Sequence, residues 1–146
     1  MEVVHIGKGT DILSKIPTPP SYFDGPSKKH FKALAKLLIA SQVLKEIHLP
    51  ALEILAQNKA QHEFALRQIH KKNNRKAGTG YIQTFSNNTS NISTEVVLKQ
   101  KAEHAMLQCI KQFGLDPKSE KDLNIEPVNQ TNLLEALGLT NTKKSM

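Results

Sequence analysis

The chain has 146 residues, with 20 Lys and Arg against 13 Asp and Glu, a formal net charge of +7 at pH 7. That length supports one domain burying about two thirds of its unfolded surface and leaves a second domain starved of core. With no Trp and 5% aromatic residues, the core rests on Leu, Ile, Val, Ala and Phe, which excludes an aromatic-rich sandwich and makes all-α the expected fold class.

No run approaches the ~20 apolar residues that span a bilayer, so no membrane partner is expected. The N-terminus lacks the basic start and apolar stretch of a signal peptide, which points to the cytoplasm. The single Cys109 falls on an apolar stripe and reads as a small buried hydrophobe rather than a disulfide partner.

The charge is unevenly placed. Residues 1–76 hold 13 Lys and Arg against 6 Asp and Glu, whereas residues 77–146 hold 7 against 7. The whole excess therefore lies in the first half, as expected of an end that faces a polyanion.

Residues 1–23 read as an extended arm. Met1–Ile6 suits a short strand, Gly7-Lys8-Gly9-Thr10 breaks it, and Pro17, Pro19 and Pro20 favour an extended path. The Gly7–Thr10 spacing fits no phosphate-binding P-loop.

One helical domain is expected over 24–123, with helices at about 26–41, 50–72 and 93–113. The first opens at Asp24-Gly25-Pro26-Ser27, where Pro26 suits the first helical position. Phe31, Leu34, Ala35 and Leu38 form its apolar stripe. Lys28, Lys29, Lys32 and Lys36 share a separate arc roughly 100° wide. No acid occurs between residues 27 and 45. Several long cations on one face, undiluted by acids, is the arrangement that displaces counterions from a phosphate backbone.

The second helix starts at Leu49-Pro50, with Glu53 placed against the positive end of its dipole. Leu52, Leu55, Ala56, Leu66 and Ile69 share one side, while Ile54 and Phe64 lie off it. Apolar groups on two faces imply a second contact surface, and Ile54 and Phe64, with Leu107 on the third helix, are the expected contacts between copies of the chain. Helix, short turn and helix give a helix-turn-helix-like N-terminal pair. Lys71, Lys72, Arg75 and Lys76 close the second helix, where they suit its dipole and could equally reach phosphates.

From Ala77 to Ile92 the chain is rich in Gly, Asn, Ser and Thr, and mainly an exposed, mobile loop is expected, with a small hairpin through Tyr81–Phe85 as the alternative. The third helix follows, with Leu98, Ala102, Ala105, Met106, Cys109, Ile110 and Phe113 on one face. Gly114 sits where a left-handed cap is wanted and Pro117 prevents resumption. With the second helix it is expected to form a long antiparallel hairpin. Residues 124–146 read as a polar, partly ordered tail. It carries a short helix at about 131–137, in which Leu133, Leu134 and Leu137 can dock on the chain's own core or on a partner.

The six His offer no metal site. His62 and His70 share a helical side, but a compact site needs three or four converging ligands, and one Cys cannot build a thiolate zinc framework. Nothing supplies a nucleophile beside His62-Glu63. No cofactor and no catalytic residue are expected.

The parts in this order resemble the small subunits of phage terminases. The resemblance rests on Ile16-Pro17 and Pro19-Pro20, Phe31-Lys32-Ala33-Leu34 and Leu37-Leu38, and Leu52-Glu53-Ile54-Leu55-Ala56. To these add the polar loop ending in Asn91 and the closing Phe113-Gly114-Leu115-Asp116-Pro117-Lys118-Ser119. Asn91-Ile92 stands where the family usually has Asn-Pro. The resemblance implies a non-catalytic subunit in the host cytoplasm that forms an oligomeric ring. It also implies binding of double-stranded viral DNA at the packaging-initiation site, and recruitment of the large terminase subunit with its ATPase and nuclease. Lys28, Lys29, Lys32, Lys36, Lys71, Lys72, Arg75 and Lys76 are the expected DNA contacts; Leu133, Leu134 and Leu137 are the expected contacts to the large subunit. The alternatives are a dimeric helix-turn-helix transcriptional regulator and a helical interaction protein whose basic face is only solvated.

Overall fold

The computed structural model describes residues 11–114 and 135–138. Three helices carry the fold: α1 Gly25–Ala40, α2 Leu49–Arg75 and α3 Thr94–Gln112. The Asp24 carboxylate caps α1 by accepting from the Ser27 amide at 2.8 Å, and Pro26 occupies the first turn. The chain leaves α1 through Gln42 in the left-handed region (φ 59°), and the Val43 amide bonds back to the Leu38 carbonyl at 3.0 Å. A single 3-10 turn, Glu46–His48, then feeds α2. Its His48 ring packs edge-on against Phe113 at 5.2 Å, so the turn between the first two helices is anchored to the end of α3.

α2 and α3 run antiparallel, because His62 pairs with Glu103 and, further along α2, Lys72 pairs with Glu95. α1 covers only one end of this hairpin. The core joins Phe31, Leu34, Ala35 and Leu38 of α1 to Leu52, Leu55 and Ala56 of α2 and to Met106, Cys109, Ile110 and Phe113 of α3. Each fully buried Leu or Phe there contributes about 1.5–3 kcal/mol through loss of apolar surface to water. Beyond Glu63 the buried face of α2 continues through Ala65 and Ile69, with Ala102 buried on α3. Leu66, expected on the buried side, is 40% exposed because α1 no longer reaches that flank.

The all-α expectation does not hold. β1 Ile82–Thr84 and β2 Ser90–Ile92 form an antiparallel two-stranded sheet, with Ile82 opposite Ile92, Gln83 opposite Asn91 and Thr84 opposite Ser90. The expected mobile loop is thus an ordered hairpin. Its sequence supplies the reason: Tyr81-Ile82-Gln83-Thr84-Phe85 is a run of β-formers bounded by turn residues. Asn88 (φ 67°) takes the left-handed conformation in the turn between the strands, and Gly78 (φ 85°) takes it in the connection from α2 to β1.

The described part of the arm is tied down. Ile12 bridges Lys45, the Leu13 amide donates to the Leu44 carbonyl at 2.8 Å, and Phe23 is buried edge-on against Phe31. Met1–Ile6 and Gly7–Thr10 lie outside the described residues. A helical turn at 135–137, closed by Gly138 (φ 70°), returns to the main core and buries Leu137 completely.

Candidate nucleic-acid interface

The four α1 cations lie on the side of the helix away from Phe31, Leu34 and Leu38. Lys29, Lys32 and Lys36 are exposed along this side, and Lys28 is half-buried. Among the described residues none of the four is in an ion pair. From Gly25 to Lys45 the sequence contains no Asp or Glu, so the face has no internal neutralisation.

A second cationic surface lies at the far end of α2, a helix of 27 residues and so about 40 Å long at ~1.5 Å per residue. Lys71, Arg75 and Lys76 are exposed there. Lys72 is not equivalent to them, since its ammonium is held at 2.6 Å by Glu95 of α3. That hydrogen bond holds the Glu95 carboxyl below the usual carboxylate range. Residues 64–94 contain five Lys and Arg and no acid at all. The whole tip, from the last turns of α2 through the hairpin, is therefore positive, and Glu95, the acid that reaches it, is engaged by Lys72.

The hairpin is clamped to this tip by a closed set of hydrogen bonds. The Asn73 side-chain oxygen accepts from the Gly80 amide at 2.8 Å, and the Thr79 hydroxyl donates to the Lys72 carbonyl at 2.8 Å. The Ser93 hydroxyl, fully buried, donates to the Gly80 carbonyl at 2.7 Å, while the Ser93 amide donates to the Tyr81 carbonyl at 2.8 Å. Ser93 also caps α3 by accepting from the Val96 amide at 3.2 Å. Gly80 must be glycine: a Cβ there would overlap the Ile69 carbonyl oxygen and crowd the Asn73 side chain.

The seams between helices are polar and structural. His30 of α1 meets Glu63 of α2 at 2.7 Å. His62 of α2 is buried and meets Glu103 at 3.1 Å, which Lys99 also approaches at 2.6 Å. Burial pushes the Glu63 and Glu103 carboxyls up, but their His and Lys or Arg neighbours outweigh it, so both sit below the ordinary value. Lys59 is buried, donates to the Leu137 carbonyl at 3.2 Å, and has its pKa lowered by desolvation, with Glu63 opposing. Burial raises the Cys109 thiol. His70 bonds the Asn74 side chain at 3.1 Å.

The expected interface residues are dispersed. Ile54 and Phe64 on α2 and Leu107 on α3 are 47%, 56% and 46% exposed. Phe64 also borders a cleft of about 320 Å³ that Tyr22, Pro26, Gln57 and Gln61 help to line. Of the tail residues, Leu137 is placed inside the chain's own core rather than on its surface; Leu133 and Leu134 lie outside the described residues. Two features escape a reading of the sequence by helical spacing. One is the acid-free stretch 64–94, plain once charges are counted in windows. The other is buried Lys59, which carries no sequence signal.

Among the described residues, no helix is long and apolar enough to cross a membrane. Neither curated proteins nor solved structures give a match to this chain. The profile described as phage terminase, small subunit, matches residues 27–130. That range takes in α1 from Ser27 onward, α2, the hairpin and α3, and it covers well over half the sequence: the chain belongs to the phage terminase small-subunit family, proteins of viral DNA packaging.

Proposed function

We propose that this chain is the non-catalytic, DNA-binding subunit of a packaging motor. It binds double-stranded viral DNA at the packaging-initiation site, assembles as a ring, and recruits or regulates the large terminase subunit in the bacterial cytoplasm. The observation that carries this reading is the pair of acid-free cationic surfaces, 25–45 and 64–94, on a chain of this family. Lys28, Lys29, Lys32, Lys36, Lys71, Arg75 and Lys76 contact phosphates in this reading, and Lys72 serves the fold through Glu95.

Ile54, Phe64 and Leu107 are exposed apolar groups on two adjacent helices, suited to contacts between copies. The tail residues Leu133 and Leu134 contact the large subunit; Leu137 joins them only when its turn leaves the core.

The test pairs two measurements on the purified full chain. Duplex DNA affinity is measured against salt, where a slope of about −0.9 in log K per log salt for each phosphate contacted is expected. Native mass is measured by light scattering. Salt-dependent binding by a single species of many copies supports the proposal. A monomer or dimer at all concentrations favours a helix-turn-helix regulator, and absence of duplex binding at low salt ends the DNA reading.

A further inference from the structure

The β1–β2 hairpin is unusual in what it exposes. Tyr81, Ile82, Phe85 and Ile92 are 58%, 54%, 46% and 57% exposed, on a ribbon held by the clamp at its base and by the Thr94 hydroxyl, which donates to the Gln83 side-chain oxygen at 3.4 Å. An isolated two-stranded hairpin is marginal in water, and exposed apolar groups on both of its faces make it more so. Here the closed bonds through Asn73, Thr79, Gly80 and Ser93 fix it at the end of α2 and α3. The apolar surface is therefore presented rigidly, beyond the reach of the core.

Strand alternation sorts the side chains. Residues 81, 83 and 85 share one face and residues 82 and 84 the other. Gln83 lies directly opposite Asn91, so one face carries two adjacent amides between Tyr81 and Phe85. A two-stranded ribbon is one of the two elements that fit the ~12 Å major groove. Amide side chains are the groups that pair bidentately with the N6 and N7 edge of adenine, and apolar contacts suit the thymine methyl.

The charge at this site selects the partner. With five cations and no acid in residues 64–94, packing two copies of this tip together would juxtapose like charges, whereas a phosphate backbone complements Lys71, Arg75 and Lys76. Resting on the DNA-binding function proposed above, we infer that the β1–β2 ribbon enters the major groove of duplex DNA, where Gln83 and Asn91 read base edges while Lys71, Arg75 and Lys76 hold the flanking phosphates.

The experiment uses the full chain and a pool of duplexes about 30 bp long with a randomised centre. Sequences enriched by the parent chain are compared with a scrambled duplex. The double variant Gln83→Ala, Asn91→Ala, in which Asn91 is exposed and Gln83 half-buried beside Thr94, is expected to cut the affinity ratio of enriched to scrambled duplex by about 10- to 100-fold. That range corresponds to about 1.4–2.8 kcal/mol of discrimination, at ~1.4 kcal/mol per tenfold. Circular dichroism, with Gln83→Glu, Asn91→Asp as a second pair, establishes that the fold is kept. An unchanged ratio in both folded pairs overturns the ribbon assignment and leaves the DNA reading intact. No duplex binding by the parent chain overturns the DNA reading itself, and the ribbon assignment with it. If the variants instead lower the native mass measured without DNA, the ribbon is a contact between copies and the groove assignment fails.

Discussion

The Lys72 ammonium lies 2.6 Å from the Glu95 carboxylate, joining the last turns of α2 to the first turn of α3. The pair does two things at once. It neutralises the Lys72 charge, although that side chain stays 39% exposed, and it places a negative charge at the N-terminal end of α3, where the helix dipole favours it. Among the described residues, Lys72 is the one of the four cations Lys71, Lys72, Arg75 and Lys76 that is held in an ion pair.

The pair sets an acid limit on stability. Because Glu95 titrates below the ordinary 4.5 in the folded chain, its contribution is complete above that value and lost as the pH falls through the depressed folded pKa. Glu95→Gln should therefore flatten the fall in melting temperature as the pH drops below the ordinary Glu value of 4.5, relative to the parent. Melting curves by circular dichroism across that range check it; parallel pH profiles would show that the pair contributes nothing to the fold.

Leu137 is fully buried in the main core. Leu137→Ala should destabilise the chain by about 2–5 kcal/mol, the range for emptying a packed apolar site. The midpoint of urea unfolding reads this. A change below about 0.5 kcal/mol, the range typical of surface positions, would show that the turn at 135–137 is not held on the core in solution.

Gly80→Ala should disturb the hairpin without melting the helices. The added methyl meets backbone, the Ile69 carbonyl, which cannot rotate away, so a loss of about 1–3 kcal/mol is expected. Amide hydrogen exchange should quicken at Ile82–Thr84 and Ser90–Ile92 while α1 stays protected. Unchanged exchange in the hairpin would contradict the clamp.

Charge reversal separates the two cationic surfaces from the structural lysine. Lys28→Glu, Lys32→Glu, Lys36→Glu should strongly weaken duplex binding and leave helical content intact. The salt slope should become shallower by about 0.9 for every phosphate that the variant no longer neutralises. Binding equal to the parent's at the same salt would move the DNA face to Lys71, Arg75 and Lys76.

Ile54→Ser, Phe64→Ser, Leu107→Ser should lower the native mass seen by light scattering, because the three side chains are exposed and contribute little to the core. Stability of the single chain should change by less than about 0.5 kcal/mol per site. An unchanged mass would place the contact between copies elsewhere.

The sequence by itself determined the start of α1, because Asp24 and Pro26 are unambiguous local signals whose cap is made within three residues. It determined the buried faces wherever two helices cover the third: Phe31, Leu34 and Leu38 on α1, and Met106, Cys109 and Ile110 on α3. The charge of α1 was legible for the same reason, since an arc on one helix follows from spacing alone. The hairpin is only half legible: the β-formers of Tyr81–Phe85 permit it, but three-residue strands also need the clamp at Asn73 and Ser93, which joins residues 7 and 13 apart. Only the tertiary structure decided that Leu66 faces water, that Lys59 is buried against Leu137, and that Lys72 is paired while Lys71, Arg75 and Lys76 are exposed. Each of these depends on which element comes to lie opposite, at separations of 23 and 78 residues for the two lysine contacts, and periodicity within one helix carries no information about that.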